Sequence, residues 1–474
     1  MNFIEVLNNW EIKYDIFNIA TVDGFDFYSY MHREFTKMTL DLVQGVKRDH
    51  LGEENKESQL KVFLRLLKKS EKISKKNVDL LVLNHSRRKL VDGKYVCQFT
   101  EFLSDYFPDS VYLERPHTNH THLEPAVTKN LVYVDRIYLK SYIYRLLCKT
   151  LAPKKYKAIY AQIKAIMDEP FDALSKELGV EINKKKYYER CTLLYYFYKS
   201  RRKDYKKFLE KLNPKAVLEV VGGSIDARII NELCKEFEIP TIELQHCLLD
   251  VTAHYPKGHG TRQFTDYYLT YSDYWKEYSH FPIADERVIP CGSVEFESQV
   301  TKYLELKTTS DKKRIVFLSG PGYGEILSEV AVKLQELDKD NNLSIVYKLH
   351  PAEFNTWKDD YKVLAKSGIK VIDTREIGLY ECFADADAQI GVYSTAIYEG
   401  IAFDLETYVL NIPFAGDFID FCKAGHGLLV DDAKELYNAL MNGDATKLNN
   451  SSDMFWKSNA KENVVVNIKN ILNK

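Results

Sequence analysis

From residue 314 onward, short apolar runs alternate with helical segments at near-regular spacing, and no other feature restricts the fold as much. Strands fit Arg314–Leu318, Ser344–Leu349, Lys370–Ile372, Ala388–Val392 and Thr407–Leu410. Strands that alternate with helices pair in parallel and carry helices on both faces of the sheet. The alternation also runs earlier, through Ala216–Val221, Thr241–Leu244, Tyr267–Tyr271 and Arg287–Pro290, with an amphipathic helix over Asp226–Phe237. Further strands fit Val78–Leu83 and Leu131–Val134. Helix is expected over most of the first 75 residues and from Leu139 to Leu212.

At 474 residues the chain exceeds one ordinary core. The expected fold class is α/β, with two Rossmann-like domains whose parallel sheets face across a cleft. Residues 1–300 form the first domain, which carries helical insertions. A polar stretch, 301–313, links it to a second domain over 314–457. Residues 458–474 form a helix that packs back across both.

Charge and composition exclude several functions. A formal net charge of −2 supplies no basic field for nucleic acid. Apolar content of 45% and charged content of 28% are those of a globular protein. No stretch approaches the ~20 apolar residues that span a bilayer, and Met1-Asn2-Phe3-Ile4-Glu5 does not open a signal peptide. The eight cysteines share no C-x-x-C spacing, which argues against a zinc cage or a disulfide framework. The expected compartment is the cytoplasm, with contact to the inner face of the cell membrane as a further expectation. The cationic and aromatic segment 184–203 is one surface for that contact. A solvated helix whose tyrosines face the core is the preferred reading of that segment.

In an open parallel sheet, ligands bind beyond the carboxyl ends of the strands, so the polar residues that follow each strand are the candidates. After Arg314–Leu318 comes Ser319-Gly320-Pro321-Gly322-Tyr323-Gly324. There Gly320 and Gly322 would let backbone N–H groups approach a phosphate, although the spacing matches neither G-x-G-x-x-G nor a Walker loop. His350 and Pro351 follow the next strand: the imidazole can donate to a departing phosphate, and the proline pushes His350 towards an extended conformation. Ser394 and Thr395 follow Ala388–Val392 and offer hydroxyls, and Glu399 on the succeeding helix suits a ribose or a base. After Thr241–Leu244 come Gln245 and His246, which suit acceptor binding and general-base work. The loop beyond contains His254, a second acceptor contact. Asp23, in Val22-Asp23-Gly24, is an acidic alternative for the base, as are Asp92 and Glu114, though Asp-Gly pairs commonly make turns. His117, His120 and His122 crowd together without metal-ligand spacing. Asp385-Ala386-Asp387 looks like a metal-binding D-x-D, but it precedes its strand and so belongs to the opposite edge of the sheet. No metal site and no cofactor are expected.

Lys348-Leu349-His350-Pro351 and Tyr393-Ser394-Thr395 resemble the HP and S-S/T motifs of bacterial sialyltransferases and Kdo transferases of the GT-B fold. Ile242-Glu243-Leu244-Gln245-His246 is similar to the histidine-bearing strand end of bacterial surface-polysaccharide transferases. Among these are the CDP-glycerol glycerophosphotransferases of teichoic acid synthesis. Cys247 stands where those proteins carry glycine, and Val22-Asp23-Gly24 matches the acidic motif of the sialyltransferases only approximately. The resemblance implies the GT-B fold, with residues 1–300 as the acceptor-binding domain and 314–457 as the nucleotide-sugar-binding domain, His246 as base, and His350, Ser394 and Thr395 around the donor phosphate.

The expected function is an inverting, metal-independent glycosyltransferase that moves a sugar from a nucleotide sugar to a bacterial capsule, exopolysaccharide or lipopolysaccharide. Its acceptor is a glycan or lipid-linked oligosaccharide. Three alternatives make different products: a CDP-polyol phosphotransferase yields a phosphodiester, an epimerase converts donor without acceptor, and a carbohydrate-binding assembly subunit turns over nothing.

Overall fold

In the computed structural model, the residues described are 3–43, 45, 59–67, 75–85, 88–116, 121–247, 262–278, 281–306, 309–413, 415–416, 418–447 and 452–474. In chain order the strands are β1 (Thr21–Val22), β2 (Phe25–Asp26), β3 (Leu80–Leu83), β4 (Arg88–Val91), β5 (Lys94–Cys97), β6 (Val111–Glu114), β7 (Leu131–Tyr133), β8 (Ala216–Glu219), β9 (Thr241–Leu244), β10 (Tyr267–Thr270) and β11 (Val288–Pro290). They continue with β12 (Lys313–Leu318), β13 (Leu343–Lys348), β14 (Lys370–Ile372), β15 (Ala388–Gly391), β16 (Glu406–Leu410) and β17 (Leu428–Val430). The early helices are α1 (Phe3–Lys13), α2 (Ile16–Ile19), α3 (Phe27–Val43), α4 (Gln59–Leu66), α5 (Asp135–Leu151), α6 (Pro153–Leu178), α7 (Lys184–Leu212) and α8 (Ile225–Glu236).

Two compact units result. One comprises Met1–Thr270, Lys276–Pro290 and Glu462–Lys474, and the other Tyr271–Trp275 and Cys291–Lys461. The first contains a seven-stranded sheet in the order β7-β6-β3-β8-β9-β10-β11, parallel throughout. The second contains a six-stranded parallel sheet, β14-β13-β12-β15-β16-β17. Numbered by appearance within its unit, each sheet reads 3-2-1-4-5-6, the doubly wound Rossmann order, and the first adds a seventh strand. Two such units define the two-domain α/β GT-B fold class. The order reverses between β3 and β8 in one sheet and between β12 and β15 in the other.

The strands are apolar because both faces are covered, as parallel sheets require. Every residue of β3, β8, β9 and β15 is buried, as are the five after Lys313 in β12. Two strands of the main sheets were not anticipated, nor were the short hairpins β1–β2 and β4–β5. β6 follows Pro108-Asp109-Ser110 and is only four residues long, and β17 is a three-residue edge strand. The stretch expected as a linker is partly helical, since Thr301 to Leu304 close a helix over Val294–Leu304 capped by Ser293. Its polar composition reflects that helix's solvent side.

The aromatic content has a structural use. Trp10 lies in a cluster with Tyr28, Phe35 and Phe171, and its indole N–H donates to the Pro170 carbonyl at 2.6 Å. In α7, Tyr187, Tyr188, Tyr195, Tyr196, Tyr198 and Tyr205 are all buried. Several keep a carboxylate partner, such as Tyr198 on Glu232 and Tyr188 on Asp168. The tyrosines of 184–203 therefore face the core, the second of the two readings of that segment. Among the described residues, no helix is long and apolar enough to cross a membrane.

Candidate active site

The second unit brings three polar loops together on one edge, beyond the carboxyl ends of the adjacent strands β13, β12 and β15. His350, the Gly320–Gly322 loop and Ser394-Thr395 therefore sit side by side, with the switch point between the last two. Strands are spaced about 4.8 Å apart, so the outer loops stand roughly 10 Å from each other, a span that a nucleotide phosphate with its sugar can bridge.

Side chains tie the loops to one another. Glu353, 5% exposed, accepts the His350 backbone N–H at 2.8 Å on Oε2. On Oε1 it accepts the Ser319 hydroxyl at 3.1 Å and the Tyr361 hydroxyl at 2.5 Å. Tyr323 donates to the Tyr393 carbonyl at 3.0 Å, which joins the glycine loop to the Ser-Thr loop. The His350 carbonyl accepts Glu353 N–H at 2.9 Å, closing a β-turn with Pro351 at its second position, where a fixed φ is favoured.

The His350 ring has a defined orientation. Ala352 N–H donates to Nδ1 at 3.2 Å, so the neutral imidazole carries its proton on Nε2. The side chain is exposed, and that N–H is a donor at the sheet edge. Ser394 caps the helix Thr395–Ile401: its Oγ accepts Ala396 N–H at 3.2 Å, which leaves the hydroxyl proton to donate elsewhere. Thr395 is half-buried beside it. The Glu399 carboxylate is engaged by the Tyr380 hydroxyl, whose pKa is pushed up by burial and by that bond.

Both glycines of the first loop have steric reasons within the chain. Gly322 holds φ +97°, and a Cβ on Gly320 would strike the Tyr323 ring. Gly391 is small because Ile397 packs over it; a Cβ would lie 3.0 Å from Ile397 Cδ1. The D-x-D pair lies where its position before β15 placed it. Asp385 and Asp387 bind Arg314 at the amino end of β12, on the edge away from His350.

In the first unit, Gln245 and His246 follow β9. The Gln245 amide donates to the Cys247 carbonyl at 3.1 Å, which orders the turn, and Cys247 Sγ lies 3.6 Å from His246 Nε2. The His246 ring meets His85, at 5.5 Å between centroids, and Phe99 packs against both. His85 and Asn84 follow β3, so two histidines share the carboxyl edge on either side of β8. Beneath them Glu219 and Glu243 are register partners, both buried, and a Cβ on the intervening Gly222 would collide with both carboxylates. Burial pushes the Glu219 carboxyl up to about 7.

Asp23 is placed elsewhere. It turns the β1–β2 hairpin at φ +50°, followed by Gly24 at +70°. Tyr195 donates to its carboxylate at 2.6 Å and Lys199 pairs with it, and these bonds lower its pKa. Asp92 turns the β4–β5 hairpin in the same way, Glu114 pairs with Arg88, and His122 pairs with Asp135 at 3.0 Å. His254, His117 and His120 lie outside the described residues.

Sequence reasoning missed Glu353 and His85. Each had a visible signal: Glu353 falls two residues after the His-Pro pair, and Asn84-His85 directly follows a buried strand, as Gln245-His246 does. Among the described residues, no cluster of three or more His, Cys, Asp or Glu could hold a metal ion.

The chain is thus a GT-B-type α/β protein with a polar edge on each sheet. No protein-family model matches it, and no curated protein does. Solved structures that resemble it include the wall teichoic acid polymerase TagF, at 12% identity over 94% of this chain and 98% of that one, with a TM-score of 0.46. UDP-GlcNAc 2-epimerase from Neisseria meningitidis bound to UDP-GlcNAc aligns at 14% identity over 64% and 88%, with a TM-score of 0.43. MurG from Acinetobacter baumannii aligns at 13% identity over 58% and 79%, with a TM-score of 0.40. The strand orders, and not superpositions this loose, define the fold.

Proposed function

We propose that this chain is an inverting glycosyltransferase that takes a sugar from a nucleotide-activated donor and requires no metal. The acceptor is a growing bacterial surface glycan or a lipid-linked oligosaccharide at the inner face of the membrane. The observation that carries this reading is the second unit's edge, where the His350 Nε2–H, the Ser394 hydroxyl and the backbone of the glycine loop converge around a switch point.

Breaking the bond between the anomeric carbon and the donor phosphate leaves negative charge on the phosphate oxygen. His350 Nε2–H and the Ser394 and Thr395 hydroxyls are donors for that charge, and donors held in advance lower the barrier without reorganising. The Glu353 contacts supply the holding. Tyr393, 43% exposed and packed edge-on against Phe418, offers an aromatic face to the base. His246 accepts the proton of the acceptor hydroxyl as it attacks the anomeric carbon from the side opposite the phosphate, which inverts the configuration. Asp23, bound into its hairpin turn, has no part in this scheme.

Turnover of nucleotide donors with and without glycan acceptors is the test, read by release of nucleotide and by product analysis. His246→Ala should retain nucleotide binding and lose transfer by ~10²-fold or more. A phosphodiester in the product would replace this reading with polyol-phosphate transfer. Unchanged transfer by His246→Ala would remove the base.

A further inference from the structure

We infer that the elbow between α5 and α6 is a docking surface for an anionic lipid bilayer. Between Asp135 and Asp168 the chain runs 32 residues without an acid and carries eight lysines and arginines. In a protein whose net charge is −2, this is a marked local excess. Two of the eight are neutralised: Lys140 pairs with Asp204 at 3.0 Å, and Lys164 with Asp168 at 3.6 Å. The cations at the elbow itself, Arg145, Lys149 and Lys154 among them, are exposed and make no ion pair among the described residues. The acids nearest the elbow, Glu189 by Tyr156 and Asp23 by Lys155, offset part of this charge.

Charge alone would describe any solvated helix. The elbow also exposes large apolar side chains among those cations: Leu146 at 42%, Leu147 at 40% and Leu151 at 75%, the last at the end of α5. The neighbouring Tyr144 is 46% exposed. Exposed leucines raise free energy in water, whereas a membrane interface accepts leucine side chains and lysine heads at adjacent depths. Lys149 lies over the Tyr156 ring and Arg145 over the Tyr142 ring, so their aliphatic stems stay along the helices and keep the cationic heads at the surface. Cations interspersed with exposed apolar side chains at the end of one helix and the start of the next suit an anionic headgroup layer. An acidic protein would satisfy the cations and leave the leucines in water, so the bilayer is the favoured occupant. The surface differs from 184–203, where the tyrosines are buried, and it does not depend on the donor-site reading.

The experiment is co-sedimentation of the full chain with phosphatidylcholine vesicles, with and without ~30% phosphatidylglycerol, at low and high salt. Binding is expected only to the anionic vesicles and should fall steeply with salt. Each elbow cation contributes about fivefold to affinity, so reversal of two, Lys149→Glu with Lys154→Glu, should weaken binding at least ~25-fold. Leu147→Ser with Leu151→Ser should weaken it even at low salt, which a purely ionic contact would not show. Lys358→Glu with Lys434→Glu, in the second unit, is the control, and thermal unfolding of every variant checks that it folds. The inference is overturned if vesicles do not bind, if the elbow variants bind like the control, or if soluble polyphosphate binds and vesicles do not.

Discussion

Glu353 shows how one buried carboxylate can organise a site it does not enter. Its two oxygens accept three hydrogen bonds, from the His350 backbone and from the Ser319 and Tyr361 hydroxyls. Each lost bond to a buried carboxylate costs about 1–3 kcal/mol. Glu353→Gln keeps one acceptor oxygen and turns an N–H donor on another donor, so the His350 turn should loosen. Nucleotide affinity is expected to fall roughly tenfold, with a smaller loss of thermal stability; calorimetry on the folded variant checks it. Unchanged affinity would mean that the turn holds His350 without the carboxylate. Ser394→Ala separates two roles differently: the lost cap alone costs about 1 kcal/mol of stability, so any drop in nucleotide affinity beyond wild-type refolding behaviour belongs to the hydroxyl itself.

Among the elements, β15 and the helix after it are joined by Gly391, over which Ile397 packs. Gly391→Ala places a Cβ 3.0 Å from the tip of that side chain, so it should cost on the order of 1–2 kcal/mol. Ile397→Val, which removes Cδ1 but keeps the Cγ1 that would lie at 3.1 Å, should recover part of it in the double variant. Denaturant titration of the single and double variants reads this directly, and additive losses would contradict it. The elements also show what was readable from the chain. β12, β15 and β16 announce themselves because strands buried on both faces are mostly apolar, and the polar residues at their ends follow from the same geometry. β6 and β17 escaped because three or four residues carry too little periodicity to stand out from loop. Gly320 and Gly391 were legible as glycines but not for their reasons, since Tyr323 and Ile397 come to lie over them only through packing. Asp23 and Asp92, offered as candidate bases, lie in the turns that Asp-Gly pairs commonly make. His85 and His246 are separated by 161 positions, and nothing local says that β3 and β9 flank the same strand.

For the molecule as a whole, the buried Glu219 couples stability to pH. Glu219 ordinarily titrates near 4.5 and is raised to about 7 by burial. Between these values the folded chain holds a proton that the unfolded chain has released. The stabilisation is therefore complete below about pH 4.5 and is lost as pH rises through about 7. Glu219→Gln, which keeps an oxygen for the Asn231 amide, cannot titrate. Its melting temperature minus that of the wild type should rise from pH 5 to pH 8, by an amount on the order of a few kcal/mol in stability. A difference independent of pH would show that Glu219 is ionised throughout. The central claim concerns the second sheet, whose three adjacent loops are assigned to a nucleotide phosphate. Calorimetry with CMP, CDP, UDP, GDP and dTDP, on the wild type and His350→Ala, tests it most directly. The account predicts selective binding of one nucleotide and a loss of ~10-fold or more on removing the imidazole. No binding to the folded wild type, or equal affinity in the variant, would contradict it.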